Sequence, residues 1–386
     1  MIVSNKIKYN YFIKLLFLLV IPSLAYVLFN LSSLSIGLLL TCLLLLIFNN
    51  NKIYIKDIKG WPLLVLHIFF GFEFFKTIYL GLSLTTLLQI YLSFVIILLI
   101  AQNLVYSSVN INFRTNLKYV YYVLICILLI NIFNIQIGRY YLFQKSIFPF
   151  SEPSHLVINF GYFLPTIFYL QKKIMRFALV LFLLFFAFYF ESLLFVLIVF
   201  ASYLFTNRIN LKLLFSILLI FVLLYFVFVN YNLINLDYYL NRLDFKNLNN
   251  ISLLVFLQGW EIIITTLKDF NLIGVGLNNL KSVPFSEVAD QLYTILGEYK
   301  NREDGGFLAA KIIGETGIAG FVMILIYIKI VYSKLKNATK EISLLNFFYS
   351  SILFISLFEL FFRGMGYFTI GTILTTSSLI YFKTND

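Results

Sequence analysis

The stretch from Asn230 to Glu315 decides how this chain is organised, because apolar runs surround it on both sides. Its polar motifs are Gln258-Gly-Trp260-Glu261, Leu272-Ile-Gly274-Val-Gly276-Leu-Asn278-Asn279, Arg302-Glu303-Asp304-Gly-Gly-Phe307 and Gly314-Glu315-Thr-Gly317. More than half of the acidic residues of the chain lie inside it. Any chemistry is therefore expected here, where this segment meets the helices around it.

The composition predicts an all-α polytopic integral membrane protein. Hydrophobic residues make up 61% of the 386 residues, charged residues only 12%, and the mean hydropathy is +0.93. A soluble core of this size does not hide so much apolar surface, and many runs approach the roughly 20 residues that cross a bilayer. The alternating ten-residue pattern of an outer-membrane barrel is missing.

The apolar runs give twelve candidate spans, with one large loop between spans nine and ten. The two runs around Glu191 are short and form either two spans or one kinked span. The predicted spans are 11–29, 32–48, 61–80, 82–101, 117–137, 155–171, 174–189, 191–206, 211–230, 305–332, 343–361 and 366–382. The predicted organisation is helices one to nine in residues 1–230, the loop in residues 231–304 and helices ten to twelve in residues 305–386.

The basic residues favour twelve spans and fix an orientation. Alternate short loops hold Lys6, Lys8, Lys14, Lys52, Lys56, Lys59, Arg114, Lys118, Lys172, Lys173, Arg176, Arg208, Lys212, Lys334, Lys336, Lys340 and Lys383. The opposite short loops hold only Arg139, Lys145 and Arg363. By the positive-inside rule both termini are cytoplasmic and the large loop is outside. The net charge of +12 is thereby explained without a nucleic-acid partner.

The large loop is net acidic and contains a predicted amphipathic helix over Ile251–Phe270. Its proposed apolar face, which would lie on the membrane surface, consists of Leu253, Leu254, Leu257, Trp260, Ile264 and Leu267. The glycines of Gly274-Val-Gly276 are expected to end the helix in a turn. They do not form a nucleotide fingerprint, because the third glycine and a preceding buried strand are missing.

Ionisable residues inside the spans are functional candidates, because burial in a bilayer costs several kcal/mol. Glu73 and Lys76 are one helical turn apart, and an internal ion pair is the favoured interpretation. Glu359 and Arg363 are four residues apart, so a pair is again favoured, although Arg363 would face the outer cavity. With two histidines, and with Cys42 and Cys126 in apolar runs, the sequence predicts no metal site and no cofactor.

Ser151-Glu152-Pro153-Ser154-His155 opens the sixth span. One interpretation is structural, since Pro and Ser start helices and Glu152 suits the positive end of the helix dipole. The other is that Glu152 and His155 face the outer cavity as acid/base or sugar-binding groups. Four outward arginines (Arg139, Arg242, Arg302 and Arg363) together favour an anionic ligand such as a pyrophosphate, which arginine binds bidentately.

The pattern of Trp260, Leu272-Ile-Gly-Val-Gly-Leu-Asn-Asn279 and Gly314-Glu-Thr-Gly-Ile-Ala-Gly320 resembles the O-antigen polymerase/ligase superfamily. Ser151-Glu-Pro-Ser154 is similar to the Glu-Pro-Ser signature of its polymerases, and the span count agrees. Many members have an arginine one turn before the tryptophan, where this chain has Phe256. Ligases have a histidine just before the span that begins near Phe307. The loop has no histidine, which favours the polymerase.

The resemblance implies a glycosyltransferase that polymerises undecaprenyl-pyrophosphate-linked repeat units on the periplasmic face of the bacterial inner membrane. It implies Arg242 and Arg302 as pyrophosphate ligands and Glu152 or Asp304 as the general base. The expected substrate-binding residues are Arg139, His155, Trp260, Asn278, Glu315 and Arg363. Membrane lipid and a chain-length regulator protein are the other expected partners. The alternatives are the ligase, a lipid-glycan flippase or other transporter, and a scaffold of the assembly machinery.

Overall fold

The computed structural model describes residues 2–47, 60–109, 113–133, 146–207, 250–299, 301–337, 343–364 and 366–385. Within these ranges the protein is all-α, and the one extended pairing is an isolated antiparallel bridge between Ile147 and Phe150. The all-α part of the predicted fold class is thus confirmed for the described part of the chain.

The first nine described helices precede the large loop. They are α1 (Ile2–Leu28), α2 (Leu34–Ile47), α3 (Gly60–Tyr79), α4 (Leu84–Val109), α5 (Phe113–Ile132), α6 (Pro153–Gly161), α7 (Leu164–Leu170), α8 (Lys173–Tyr189) and α9 (Leu193–Thr206).

Six more helices follow in the described residues of the second half. They are α10 (Ile251–Asp269), α11 (Glu287–Leu296), α12 (Leu308–Thr316), α13 (Ile318–Asn337), α14 (Leu344–Phe361) and α15 (Ile370–Asn385). Across the described residues, seven helices are long and apolar enough to cross a membrane, namely α1, α3, α4, α5, α10, α13 and α14. Two shorter apolar helices, α2 and α9, add to them.

Two predicted spans are divided into two helices each. Span 155–171 becomes α6 and α7, and Pro165 lies in the first turn of α7, where its missing N–H is tolerated. Span 305–332 becomes α12 and α13, because Gly317 adopts a positive φ of 65° between them. Predicted span 211–230 lies outside the described residues. The described residues contain seven helices of membrane-spanning length, and the predicted number of twelve spans stays a prediction.

One large apolar core joins most of the helices. It contains buried residues of α1, α2, α4 to α9, α14 and α15. By contrast, α3 and α13 bury little of their apolar surface within the protein, and Ile68 and Phe75 of α3 are 66% and 73% exposed. Apolar surface of this extent on two long helices is what a lipid-facing position requires.

The helix predicted over Ile251–Phe270 is found as α10, which is also one of the seven helices of membrane-spanning length. It packs on α12 and α11, and Gly259 lets α10 approach the Gly305 carbonyl and the Phe307 ring so closely that a side chain would clash. The buried face is centred on Gln258, Gly259 and Ile262. The predicted apolar face is divided, because Leu253 and Leu254 are buried inside the protein, whereas Trp260 and Ile264 are 42% and 63% exposed.

Candidate functional site

The segment 363–369, between α14 and α15, brings the charged residues of the site together. Gly364 lies against the backbone of Phe307 and Leu308, where a Cβ atom would come within 2.5 Å of the Leu308 nitrogen. A Cβ atom on Gly366 would lie 3.5 Å from the Asp304 carboxylate. The segment therefore lies beside the start of α12. We call the charged and polar residues along it the polar strip: Glu152, Asp304, Lys311, Glu315, Arg363 and Tyr367.

The N-terminus of α6 supplies the first ion pair of the strip. Glu152 precedes Pro153, and its Oε2 atom lies 3.2 Å from an Arg363 guanidinium nitrogen and accepts a 3.0 Å hydrogen bond from Ser154. The side chains of Glu152 and Arg363 are 47% and 27% exposed. His155 lies one turn away, with its Nδ1 atom 3.1 Å from the Ser151 hydroxyl. The structure thus brings three predicted site residues, Glu152, His155 and Arg363, to one place.

The predicted pairing of Glu359 with Arg363 is wrong. Helix α14 ends at Phe361, so Arg363 lies beyond its last turn and the four-residue spacing no longer places it above Glu359. The buried Glu359 carboxylate instead accepts hydrogen bonds from Tyr162 at 2.5 Å and Thr369 at 2.7 Å. Arg363 is left to pair with Glu152.

Lys311 on α12 is the second cation of the strip. Its Nζ atom lies 3.2 Å from the Asp304 carboxylate and 3.6 Å from the Glu315 carboxylate, and it donates a 2.7 Å hydrogen bond to the Glu303 carbonyl. Asp304 is 53% exposed, whereas the Lys311 side chain is only 6% exposed. This lysine was not among the predicted site residues. Its four-residue spacing from Glu315 in an apolar helix is the signal that identifies it.

Glu315 is the buried end of the strip. Its side chain is fully buried, and its carboxylate accepts a 2.7 Å hydrogen bond from the Tyr367 hydroxyl and another from the backbone of Asn278. Asn278 therefore contacts Glu315 through its main chain, while its side chain is exposed. The turn at Gly276 fixes this geometry, because the Gly276 N–H donates to the Glu315 carbonyl at 2.9 Å. Nothing in the sequence indicated Tyr367, which is 52 positions away.

The predicted Glu73–Lys76 ion pair of α3 is confirmed, with 2.7 Å between its charged atoms and both side chains almost fully buried. The Lys76 Nζ atom also donates to the main-chain carbonyl of Glu315 at 2.9 Å and lies 3.5 Å from that of Ile273. The pair thereby joins α3 to the glycine turn and to the end of α12. Because Lys76 uses its donors inside the protein, the pair is structural.

An apolar cleft begins at the strip. It has a volume of about 340 Å³ and lies between α3, α4, α12, α13 and α15. Its lining includes Trp61, Val65, Phe94, Leu98, Met323 and Tyr367. Val65 and Met323 are 57% and 47% exposed, so the cleft lies beside the two helices with the most exposed apolar surface. Tyr367 belongs to both the cleft and the polar strip.

The contacts of Arg302 are with residues outside the polar strip. Its guanidinium donates to the Lys281 and Val283 carbonyls and lies 3.6 Å from the centre of the Phe285 ring. Partial burial lowers the pKa of this guanidinium, while Tyr299 and Asp290 raise it. Both hydrogen bonds come from one terminal nitrogen of the guanidinium, and they hold two parts of this segment together.

The other predicted residues fall in different places. Trp260 packs against Phe307, with ring centres 5.5 Å apart, and so contacts the residue that precedes α12. Arg139 and Arg242 lie outside the described residues. Among the described residues, no group of three or more His, Cys, Asp or Glu side chains is arranged to hold a metal ion.

These features define the class of protein as an all-α chain with several helices of membrane-spanning length and a charged strip beside an apolar cleft. Comparison with protein-family models, with curated proteins and with solved structures gives no match.

Proposed function

We propose that this chain is an O-antigen polymerase, a membrane glycosyltransferase that joins undecaprenyl-pyrophosphate-linked repeat units. The observation that carries the proposal is the meeting of the apolar cleft and the polar strip at Tyr367. A lipid-linked pyrophosphate has an apolar chain and a charged head. The cleft offers a surface for the chain, and the exposed charges of the strip offer one for the head.

The reaction needs a cation for the leaving group and a base for the acceptor. The acceptor hydroxyl oxygen forms a bond to the anomeric carbon of the donor, the bond from that carbon to the pyrophosphate oxygen breaks, and the hydroxyl proton passes to a carboxylate. The lipid pyrophosphate leaves with the electron pair. Among the described residues we assign Arg363 to its developing charge, and Glu152 or Asp304 to the proton, because these side chains are partly exposed.

The proposal includes the predicted topology. In it the chain has twelve spans in the bacterial inner membrane, both termini are cytoplasmic, and the polar strip opens to the periplasm. Arg242 keeps its proposed role as a pyrophosphate ligand. Arg302 keeps its proposed role as well and also supports the loop, because within the described residues only one nitrogen of its guanidinium binds main-chain carbonyls.

Transport of a lipid-linked glycan is the second candidate function. It is favoured by charged side chains buried among the described helices, among them Glu73, Lys76, Lys311 and Glu315. Charges inside a helix bundle mark the pathway in many transporters. Here they pair with one another and with main-chain carbonyls, as charged groups do when they hold helices in fixed positions.

A deletion strain of the source organism, complemented with variants, tests the proposal through its surface polysaccharide ladder. Without the gene we expect core carrying a single repeat unit, and wild type restores the ladder. We expect Arg363→Ala to restore none, and Val65→Trp, which fills the cleft, to give a shorter ladder. Leu64→Trp is the matched control, because Leu64 is a neighbouring exposed residue outside the cleft lining.

The same gel, together with an analysis of the lipid-linked glycans of each membrane leaflet, separates the alternatives. Bare core without any repeat unit in the deletion strain would refute the polymerase. If lipid-linked polymer then accumulates on the outer leaflet, the chain is a ligase that transfers glycan to lipid A-core. If lipid-linked single units accumulate on the inner leaflet, it is a transporter.

A further inference from the structure

A cluster of three exposed aromatic rings lies on the loop between α10 and α12. Tyr299 lies next to both other rings, with its centre 4.3 Å from that of Phe285 and 4.7 Å from that of Tyr293. The three side chains are 54% (Phe285), 48% (Tyr293) and 37% (Tyr299) exposed. We call these three rings the aromatic platform.

The platform is held rigid by the protein itself. Arg302 lies over the Phe285 ring and donates to the carbonyls of Lys281 and Val283, so it ties residues 281–285 to residues 299–302. Tyr293 is fixed by α11, which buries Ala289 and Leu292. A rigid aromatic surface loses little conformational entropy when a ligand packs on it.

Charges beside the platform decide against the membrane as its occupant. Glu287 and Asp290 are exposed on α11 together with Tyr293, and Glu298 precedes Tyr299. Inserting this face into hydrocarbon would also insert these carboxylates, at a cost of several kcal/mol. Three rings, two of which have hydroxyl groups, flanked by carboxylates instead suit a ligand that has both apolar C–H faces and many hydroxyl groups.

The platform is also connected to the polar strip. Arg302, which packs on Phe285, is two residues before Asp304, whose carboxylate pairs with Lys311. The residues that support the platform are therefore joined to the proposed reaction site by a short piece of chain.

We propose that the aromatic platform binds the glycan chain of the substrate by packing sugar rings against Tyr293 and its neighbours. The inference rests on the proposed function, and it adds a glycan-binding subsite that is separate from the reacting groups. Tyr293 is the residue to vary, because Phe285 and Tyr299 also support Arg302.

The test is a binding measurement on the purified full-length chain in lipid nanodiscs. The probe is the oligosaccharide repeat unit released by mild acid from the surface polysaccharide of the source cells, and binding is measured by saturation-transfer NMR and by titration. We expect Tyr293→Ala to weaken binding roughly three- to tenfold, the usual contribution of one aromatic contact. Ile295→Ala, an exposed apolar residue of the same helix outside the platform, is the control and should leave binding unchanged.

Two results would overturn the inference. One is equal binding by wild type and Tyr293→Ala, and the other is no binding by wild type. Neither depends on catalysis, because the probe has no lipid or pyrophosphate. The polysaccharide ladder tests the polymerase function separately. A normal ladder together with unchanged binding by Tyr293→Ala would mean that the chain polymerises without using the platform.

Discussion

The Glu73–Lys76 pair and the Glu152–Arg363 pair join the same kinds of charge in different surroundings. The first has 2.7 Å between its atoms and is almost fully buried, and its lysine also binds the main chain of Glu315. The second has 3.2 Å between its atoms, and its side chains are 27% and 47% exposed. A buried pair resists separation because each lone charge would be unsolvated, whereas an exposed pair exchanges partners at little cost. We therefore assign the first pair to structure and the second to function.

Loss of Lys76 should have the largest effect on stability. Lys76→Met leaves Glu73 buried without its cation and removes the donor to Glu315, so we expect a loss of about 3–5 kcal/mol in the free energy of unfolding. Thermal unfolding in detergent, followed by size-exclusion chromatography, measures it. The double variant Glu73→Gln/Lys76→Met is the control and should recover part of the loss. An unfolding midpoint equal to wild type would show that the pair is not structural.

Loss of Arg363 should affect activity more than stability, the opposite of loss of Lys76. Arg363→Ala should change the free energy of unfolding by less than about 1 kcal/mol, because the pair is exposed. It should lower the polymerisation rate by roughly 100-fold, as expected when one stabilising donor is lost from a reaction site. The measurements are unfolding and chain growth on the same preparation, and Arg114→Ala, an exposed arginine on α5, is the control. Full activity of Arg363→Ala would remove it from the proposed mechanism.

Loss of the Tyr367 hydroxyl tests the connection between Glu315, whose main chain binds Lys76, and the segment that contains Arg363. In Tyr367→Phe the buried Glu315 carboxylate loses a 2.7 Å hydrogen bond, and we expect a cost of about 1–3 kcal/mol. Tyr332→Phe, at an exposed tyrosine of α13, should cost almost nothing in the same unfolding assay. If the two variants unfold alike, the Tyr367 hydroxyl makes no stabilising contact with Glu315.

Asp304 should show the smallest effect on stability. Its side chain is half exposed, so Asp304→Asn should cost less than about 1 kcal/mol in spite of the contact with Lys311. Comparing its polymerisation rate with that of Glu152→Gln identifies the proton acceptor, since only the variant that lacks the base should fall strongly. Equal, small losses in both would assign the base to another residue.

Local patterns in the sequence predicted much of this fold. Apolar runs located α3 and α14 to within one residue, and the i, i+3 spacing identified the Glu73–Lys76 pair. The periodicity of the loop predicted α10, and Pro153 predicted the start of α6. These features depend on neighbours within one or two helical turns, which is the range over which sequence patterns are informative.

The rest depends on contacts between distant residues. The division of one predicted span into α12 and α13 follows from the positive φ of Gly317, next to which the Ile318 N–H donates to the Leu272 carbonyl. The pairing of Arg363 with Glu152 joins residues 211 positions apart. No periodicity in the sequence records such a contact, so this ion pair was found only in the structure.

The most direct test of the central claim uses the purified chain in nanodiscs with lipid-linked repeat units as the only substrate. The account predicts that wild type forms glycans of two and more repeat units on the lipid carrier and that Arg363→Ala forms almost none. The folded fraction of Lys76→Met should be as active as wild type. Repeat units that stay single with folded wild-type protein would contradict the account.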